Sequence, residues 1–328
     1  MHAAFYERTG PAREVLRLGE LPTPEPGPGE VRVRLATSGV NPSDVKSRAG
    51  LRSKELPFPR IVPHSDGAGM IDRVGDGVPA VRVGERVWVW NAAWKRAFGT
   101  AAQYVVLPAT QAVTLPPAVP FDAGACLGIP ALTALHAVRT DGGVEGKSVL
   151  VTGGAGAVGH YAVQMAKLAG ARRVISTVSS DEKAMQALQA GADEVVDYRT
   201  DDVAARVVAV TGGQGVDRVI EVDFAANVGT SLAVVRPEGD IVVYGSGKAE
   251  IAVPFFPSIV KNLRLRFFIV YNLSAADRAA AIAQLQAWLR DGSLQHVIAA
   301  RLPLDSIAEA HELVESGRAV GNVVLQIP

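Results

Sequence analysis

One segment of the 328-residue chain constrains its fold more than any other, the glycine-rich stretch SVLVTGGAGAVGHYAVQMAKLAGA at residues 148–171. A short apolar run leads directly into Gly154-x-Gly156-x-x-Gly159, and a stretch with helical periodicity follows. Glycines at this spacing permit a tight turn and let backbone approach a pyrophosphate, which the N–H groups of a helix start can bind. The flanking strand and helix favour a dinucleotide site over a purely structural turn. The predicted contacts are Gly154, Ala155, Gly156, Ala157, Val158 and Gly159.

Strand and helix patterns alternate after about residue 121, which is typical of a doubly wound parallel sheet. The predicted strands are 148–152, 174–178, 194–197, 219–222, 241–244 and 265–270, and the predicted helices are 122–139 (broken at Pro130), 158–169, 183–190 and 275–290. The first 120 residues instead show spaced prolines and period-two alternation, as at Val31, Val33 and Leu35, which indicates a bent β domain. We therefore predict an α/β protein with two domains, 1–123 together with 272–328, and 124–271.

Composition narrows the function class. Hydrophobic residues make up 48% and charged residues 20%, which suits a globular protein with a full core. The 33 basic and 33 acidic residues balance, so we expect neither nucleic acid nor a membrane surface as partner. Cys126 is the only cysteine, which excludes an internal disulfide and any site built from several cysteines. No signal-peptide pattern or membrane-length apolar run is present, so we expect a cytoplasmic protein.

The end of the second predicted strand indicates which dinucleotide binds. An acidic residue about 20 positions after the glycine turn would accept hydrogen bonds from the ribose of NAD. This chain has Ser179 there, followed by Lys183, and Tyr198 ends the next strand. A serine hydroxyl and a lysine ammonium suit a 2′-phosphate, so we predict NADPH. The alternatives are that Lys183 is an ordinary solvated charge and that Asp181 is only a helix N-cap.

Ordered segments along nearly the whole chain resemble one known family. They are SGVNPSDVKSRAG (38–50), VPHSDGAG (62–69), VGERVW (83–88), LGIPALTAL (127–135), the glycine turn, GADEVVDY (191–198) and AEAHELVESGRAVGNVVL (308–325). They resemble the zinc-free, zeta-crystallin-like quinone oxidoreductase group of the medium-chain dehydrogenase/reductase superfamily. The resemblance implies a Rossmann sheet, a GroES-like β domain, and an active site in a cleft between them. It also implies a homodimer that pairs the sixth strands, here residues 265–270.

Zinc alcohol dehydrogenases of the same superfamily bind their catalytic zinc through a cysteine, a histidine and a second cysteine. The matching positions here are Asn41, Ser65 and a position near Ile129, and Cys126 is offset from the last. The ligand types are wrong for zinc, so we predict that no metal is bound. Without a Lewis acid, hydride transfer requires an acceptor that is already electron-poor, such as a quinone or an α,β-unsaturated carbonyl compound.

The resemblance also implies site residues. Asn41 and Thr133 match positions near the nicotinamide, whereas Lys46 stands where well-known relatives have tyrosine. Lys46 could orient the ribose, polarise an acceptor oxygen, donate a proton or point into solvent. Asp44 and Asp66 match positions that suit structural roles better than catalysis. Further cofactor contacts are implied at Asn227, Gly245, Ser246, Phe268, Ile269 and Asn322, with Phe268 and Ile269 in the sixth strand.

Several conspicuous residues have alternative interpretations. His64 stands where glycine is usual and is more readily explained as a turn residue than as a gate. Cys126 lies in an apolar segment and is expected to be an inert core thiol. Trp88, Trp90 and Trp94 could line a slot for a planar quinone or belong to the core. Three functions remain open at this point: quinone reduction, reduction of an enone or enoyl double bond, and NADPH binding with little turnover.

Overall fold

The computed structural model describes all 328 residues of the chain. The chain forms two compact units, Met1–Pro130 with Leu289–Pro328 (unit 1) and Ala131–Trp288 (unit 2). No helix combines the length and the apolar character that crossing a membrane requires.

Unit 1 is a β domain with short helices. Its first part contains β1 His2–Phe5, α1 Ala12–Val15, β2 Arg17–Glu20, β3 Glu30–Val40, α2 Pro42–Arg48, β4 Asp66–Val74, β5 Arg86–Val89, β6 Tyr104–Pro108, β7 Ala112–Thr114 and α3 Phe121–Gly124. A seven-stranded sheet has the order β14-β15-β3-β4-β5-β7, with β6 paired to β3, where β14 is Ile298–Pro303 and β15 is Asn322–Gln326. Helix α11, Ile307–Glu315, connects β14 to β15.

The alternation predicted for β3 is present in the structure. Val31, Val33 and Leu35 are buried in a core cluster that β4, β5 and β6 complete. Arg32, on the same strand, is held by Asp72, to which its Nε donates at 3.0 Å. The strand is therefore anchored by an apolar core and by an ion pair.

Unit 2 alternates strands and helices as predicted. Its elements are α4 Leu132–Arg139, β8 Ser148–Val151, α5 Gly159–Leu168, β9 Arg173–Val178, α6 Asp181–Gln189, β10 Glu194–Asp197, α7 Val203–Val210, β11 Val216–Glu221, α8 Phe224–Val234, β12 Val235–Val243, α9 Phe255–Val260 and β13 Arg264–Phe267. Helix α10, Ala275–Asp291, begins in unit 2 and ends in unit 1.

The sheet of unit 2 has the strand order β10-β9-β8-β11-β12-β13, and every pair in it is parallel. This is the 3-2-1-4-5-6 order of the dinucleotide-binding fold. Strand β8 is buried along its whole length and β9 along all but its first residue, because helices cover both faces of a doubly wound sheet. The predicted fold class, a parallel Rossmann sheet with a bent GroES-like β domain, is therefore confirmed.

The break predicted at Pro130 in the helix 122–139 is present: this segment is divided into α3, a π-type turn Leu127–Ala131 that contains Pro130, and α4, since proline removes a helical hydrogen bond. Other predicted elements have different bounds in the structure. The helix predicted from residue 183 begins at Asp181. The strand predicted to reach Val270 ends at Phe267, because its neighbour β12 ends at Val243, the partner of Phe267. Helices α7 and α8 were not predicted.

Candidate active site

The glycine turn between β8 and α5 is closely packed at two of its glycines. A Cβ atom on Gly154 would lie 1.9 Å from Ser176 Oγ, and one on Gly159 would lie 2.1 Å from Gly153 O. The turn is also tied to β9, since Gly153 N donates to Thr177 Oγ1 at 3.0 Å. Gly154 and Gly159 are therefore required by packing within the chain itself.

Gly156 has a different environment. A Cβ atom there would meet only Gly153 O, at 3.3 Å, so a small shift of that carbonyl would admit a side chain. The open space beside Gly156 lies next to the start of α5, where the positive end of the helix dipole favours an anion. The turn therefore fits a dinucleotide pyrophosphate.

Three residues predicted to recognise a 2′-phosphate lie together at the carboxyl edge of the sheet. Lys183 Nζ, from the first turn of α6, donates to Ser179 Oγ at 3.2 Å. Tyr198 N donates to Val178 O at 3.1 Å, which places Tyr198 beside the residue that precedes Ser179. Tyr198 is exposed, whereas Ser179 is buried with the Lys183 ammonium against its hydroxyl.

The N-cap interpretation of Asp181 is wrong. Ser180 caps α6, because its Oγ accepts from Lys183 N at 3.3 Å. Asp181 lies in the first turn of the helix, where its charge interacts favourably with the helix dipole.

Glu221, at the carboxyl end of β11, is a residue of the site region that sequence reasoning missed. This buried carboxylate accepts from Thr152 Oγ1 at 3.0 Å, from Asn227 Nδ2 at 2.9 Å and from Ser231 Oγ at 2.9 Å. Glu221 therefore fixes the side-chain amide of Asn227, the predicted cofactor contact, which lies in the helix that follows β11. The available signal was an acidic residue that ends the apolar run Val219–Ile220.

The remaining predicted contacts of unit 2 follow the ends of β12 and β13. Gly245 must be glycine, since a Cβ atom would lie 2.1 Å from Val222 O. Ser246 Oγ donates to Lys248 O at 2.7 Å. Phe268 and Ile269 lie just beyond β13 rather than in it, and the ring of Phe268 lies 4.6 Å from that of His136. Thr133 is buried in α4.

Unit 1 contains the positions that match zinc ligands in related dehydrogenases. The structure brings two of them to one oxygen atom: Asp66 Oδ2 accepts from Asn41 Nδ2 and from Ile129 N, both at 2.9 Å. Ser65 directly precedes Asp66. Burial raises the pKa of Asp66 well above its usual value, and the nearby Asp44 raises it further. The hydrogen bonds from Ile129 N and Asn41 oppose this rise, and the net effect favours the neutral form of the carboxyl group.

These residues do not fit a catalytic zinc ion. Isoleucine offers no side-chain ligand, the Asn41 amide is bound to Asp66, and neither serine nor asparagine is a usual zinc ligand in proteins. No group of three histidine, cysteine or carboxylate side chains in the chain is arranged to hold a metal ion. Cys126 is buried with its Sγ donating to Asp122 O at 3.2 Å, and burial raises the pKa of its thiol.

Two other predicted site residues lie in unit 1. Lys46 lies in the last turn of α2, and Asn41 and Asp44 form the capping box at the start of that helix. Asn322 is buried in β15, and its Nδ2 donates to Val297 O at 3.2 Å. Trp88 is fully buried, so the core interpretation is correct for this tryptophan.

The buried carboxyl group of Asp44 should make the free energy of unfolding depend on pH. Burial raises its pKa to about 7, so the folded state holds a proton that the unfolded chain releases near pH 4. Stability therefore falls as pH rises through this window, and the Asp44 contribution amounts to about 2 kcal/mol between about pH 5.5 and about pH 7.5. Urea unfolding of wild type and Asp44→Asn at both pH values should show that difference. An identical pH dependence in the two proteins would contradict the assignment.

Comparisons with known families agree with this architecture. Residues 27–117 match the family described as alcohol dehydrogenase GroES-like domain, and residues 157–287 match the family described as zinc-binding dehydrogenase. A quinone oxidoreductase from Homo sapiens is 31% identical over 323 residues, which cover 98% of this chain and 95% of that protein. The chain belongs to the quinone oxidoreductase group of the medium-chain dehydrogenase/reductase superfamily. It is an oxidoreductase of that type.

Two further members of the superfamily bear on the site. A 2-haloacrylate reductase from Burkholderia sp is 32% identical over 341 residues, which cover 99% of this chain and 98% of that protein. The crystal structure of Escherichia coli quinone oxidoreductase complexed with NADPH has a TM-score of 0.88 and 26% identity, covering 99% of this chain and 100% of that one. A nicotinamide dinucleotide is therefore the cofactor class of this fold, and the glycine turn described above fits it.

Proposed function

We propose that this chain is a zinc-independent reductase that uses NADPH to reduce a quinone. The observation that carries the proposal is a contrast between the two units. Unit 2 has a complete dinucleotide edge, with the glycine turn and the Ser179–Lys183 pair, whereas Asn41, Ser65 and Ile129 of unit 1 offer no ligand set for zinc. An acceptor that needs no Lewis acid suits this combination.

When bound, the reduced nicotinamide supplies the hydride, and the protein supplies position and electrostatics. Gly156 leaves space for the pyrophosphate, and Lys183 with Ser179 binds the 2′-phosphate. Asn41 Nδ2 carries two hydrogens, of which Asp66 takes one, so the other can donate to an acceptor oxygen as negative charge develops there. Thr133 belongs to the proposed reacting group, as the family resemblance implies, and we include Lys46, which stands where well-known relatives have tyrosine.

One observation favours a second candidate function. The relative named 2-haloacrylate reductase acts, by its name, on a conjugated carbon–carbon double bond. An enone or enoyl substrate would take hydride at the β carbon and use the same amide donor at its carbonyl oxygen. NADPH binding with little turnover is the outcome expected if neither acceptor class reacts.

The decisive experiment is a screen of quinones, enones and simple unconjugated ketones with NADPH and NADH, followed by nicotinamide absorbance, on protein with and without prior chelator treatment. The proposal predicts fast quinone reduction with NADPH that chelation leaves unchanged. Enone turnover with no quinone turnover would replace it with the second candidate. Loss of activity after chelation, with recovery on adding zinc, would refute zinc independence.

The proposal includes a cytoplasmic homodimer without nucleic acid or membrane partners, consistent with balanced charge. The edge strand β13 exposes Leu265 and Phe267, and nearby α9 exposes Phe256 and Val260. An unpaired strand edge beside exposed apolar side chains is a surface that a second copy can cover. The family resemblance, in which sixth strands pair across a two-fold axis, makes that copy the occupant we propose.

A charge placed in this surface should dissociate the dimer. Val260→Glu would bury a carboxylate against the partner, so we expect light scattering to show a monomer. Val81, which is 88% exposed in unit 1, provides the matched control, because Val81→Glu makes the same change outside the proposed interface. A monomeric wild type, or equal effects of the two substitutions, would contradict the dimer.

A further inference from the structure

Four buried side chains of unit 1 form a continuous hydrogen-bond network. His311 Nε2 lies 2.9 Å from His64 Nε2, and His64 Nδ1 lies 2.9 Å from Ser38 Oγ. Ser38 Oγ lies 2.8 Å from Thr100 Oγ1, which donates to Asp66 O at 2.5 Å. All four side chains belong to fully buried residues. The sequence resemblance assigns no role to this hydrogen-bond network.

The last acceptor fixes the direction of every bond. Asp66 O can only accept, so the Thr100 hydroxyl donates to it and accepts from Ser38. Ser38 has then used its single hydrogen, so it accepts from His64 Nδ1–H. His64 Nε2 therefore carries a lone pair and accepts from His311 Nε2–H. His311 Nδ1 is left as a lone pair, consistent with its having no hydrogen-bond partner.

This direction requires a neutral His64, and the surroundings of both histidines favour the neutral form. Burial lowers the pKa of His64 to about 3 and lowers that of His311 well below its usual value. The buried Arg48 guanidinium lowers the pKa of His311 further, because a second positive charge beside it is unfavourable. The two histidines of the network therefore keep one set of tautomers across the neutral pH range.

His64 holds its position in a backbone conformation that favours glycine. Its φ is 75°, a region that L side chains rarely adopt. Thr100 N donates to His64 O at 3.0 Å, and Ala101 N donates to Pro63 O at 3.1 Å, so the backbone is fixed independently of the ring. A strained residue retained in an over-determined turn is a candidate for function.

The hydrogen-bond network ends at Asp66, the residue that binds the Asn41 side chain. Asp66 receives the Thr100 hydroxyl at its backbone oxygen, and its carboxyl oxygen Oδ2 accepts from Asn41 Nδ2 and from Ile129 N. The two histidines thus act on the start of β4, and through Asp66 on the orientation of the Asn41 amide.

We propose that His64 and His311 are positioning residues for hydride transfer, acting through Ser38, Thr100 and Asp66 on the Asn41 amide. This inference rests on the proposed function, in which Asn41 donates to the acceptor oxygen. A small rotation of a donor that binds developing charge affects the transition state more than cofactor binding. The expected signature is a lower kcat with an unchanged KM for NADPH.

Two threonines of unit 1 provide a matched test. Thr100→Val removes the last hydroxyl of the hydrogen-bond network. Thr37→Val removes an equally buried hydroxyl outside the network, one that donates to Phe121 O at 2.8 Å. Both variants should lose similar stability. Thr100→Val should lower kcat about tenfold while Thr37→Val leaves it unchanged. Equal kcat values for the two variants would overturn the proposal.

The first donor gives a rescue test. Glutamine can present an amide N–H near the place of Nε2–H, whereas leucine cannot. His311→Leu should reduce kcat as Thr100→Val does, and His311→Gln should restore most of it. Failure of glutamine to exceed leucine would count against the proposed bond direction.

Asn41 provides the last step. If the hydrogen-bond network acts through this amide, adding Thr100→Val to Asn41→Ala should cost no further activity, whereas independent effects would multiply and overturn the proposal.

Nitrogen NMR of histidine-labelled protein tests the network without turnover. We expect His64 to be protonated at Nδ1 and His311 at Nε2, and the opposite tautomers would overturn the inference. A wild type that reduces no quinone would contradict the proposed function alone, and the NMR measurement would still test the bond directions of the network.

Discussion

Replacing Gly156 with valine should leave the chain folded and remove most of its affinity for NADPH. The first added carbon meets only Gly153 O, at 3.3 Å, so the turn itself can accept it. The same carbon occupies the open space where a pyrophosphate would approach the backbone. Losing two charge-assisted hydrogen bonds, at about 1.5–3 kcal/mol each, raises Kd by about a hundredfold or more. Fluorescence titration with NADPH measures this loss, and thermal unfolding checks the fold.

Gly154→Ala is the matched comparison in the same turn. Its Cβ atom would lie 1.9 Å from Ser176 Oγ, so this smaller substitution should destabilise unit 2 itself. The pair separates a glycine needed for the ligand from one needed for packing. If Gly156→Val unfolds the protein as readily as Gly154→Ala, the space beside Gly156 is not a ligand cradle.

The dinucleotide edge could be predicted from sequence because a single rule of parallel sheets places its residues. Ser179 and Tyr198 follow strands that are neighbours in register, Val178 opposite Asp197, so both side chains come to one edge. Lys183 lies in the first turn of α6, which begins two residues after Ser179, and this brings its ammonium to the Ser179 hydroxyl. Local periodicity and strand order were sufficient for this part of the site.

Other features depend on residues that the sequence keeps far apart. Glu221 is held by Thr152, 69 residues away, and by Ser231 from the following helix, so the local sequence does not identify its full set of hydrogen-bond donors. His64 and His311 are separated by 247 residues, and the sequence gives no sign that the two rings meet. Such contacts are consequences of strand order and turn geometry, which single-sequence patterns do not specify.

The positions matched to zinc ligands show the same limit from the other side. The resemblance aligned Asn41, Ser65 and Ile129 with a metal site, and the residue types alone argued against zinc. Only the structure shows that Asn41 and Ile129 both donate to Asp66 Oδ2. The Asp66 carboxyl group, whose pKa is raised by burial, thus occupies the centre of a region that in zinc alcohol dehydrogenases is organised by a metal ion.

Ser179→Asp should reverse the preference between NADPH and NADH. A carboxylate at this strand end would repel the 2′-phosphate and accept hydrogen bonds from the ribose hydroxyls of NADH. It would also pair with Lys183, whose Nζ lies 3.2 Å from Ser179 Oγ, and so withdraw the ammonium from the phosphate. Like charges about 4 Å apart near a protein surface cost about 4 kcal/mol, so the ratio of kcat/KM for NADPH to that for NADH should fall at least about a hundredfold.

The neighbouring serine supplies the control for general electrostatics. Ser180 caps α6 through Lys183 N, and aspartate caps a helix as well as serine does. Ser180→Asp therefore adds the same charge one residue away without disturbing the helix, and should change the ratio far less. Lys183→Ala should weaken NADPH alone, by a smaller factor than Ser179→Asp, because it removes attraction without adding repulsion. Equal losses for NADPH and NADH in the Ser179 variant would show that the 2′-phosphate is recognised elsewhere.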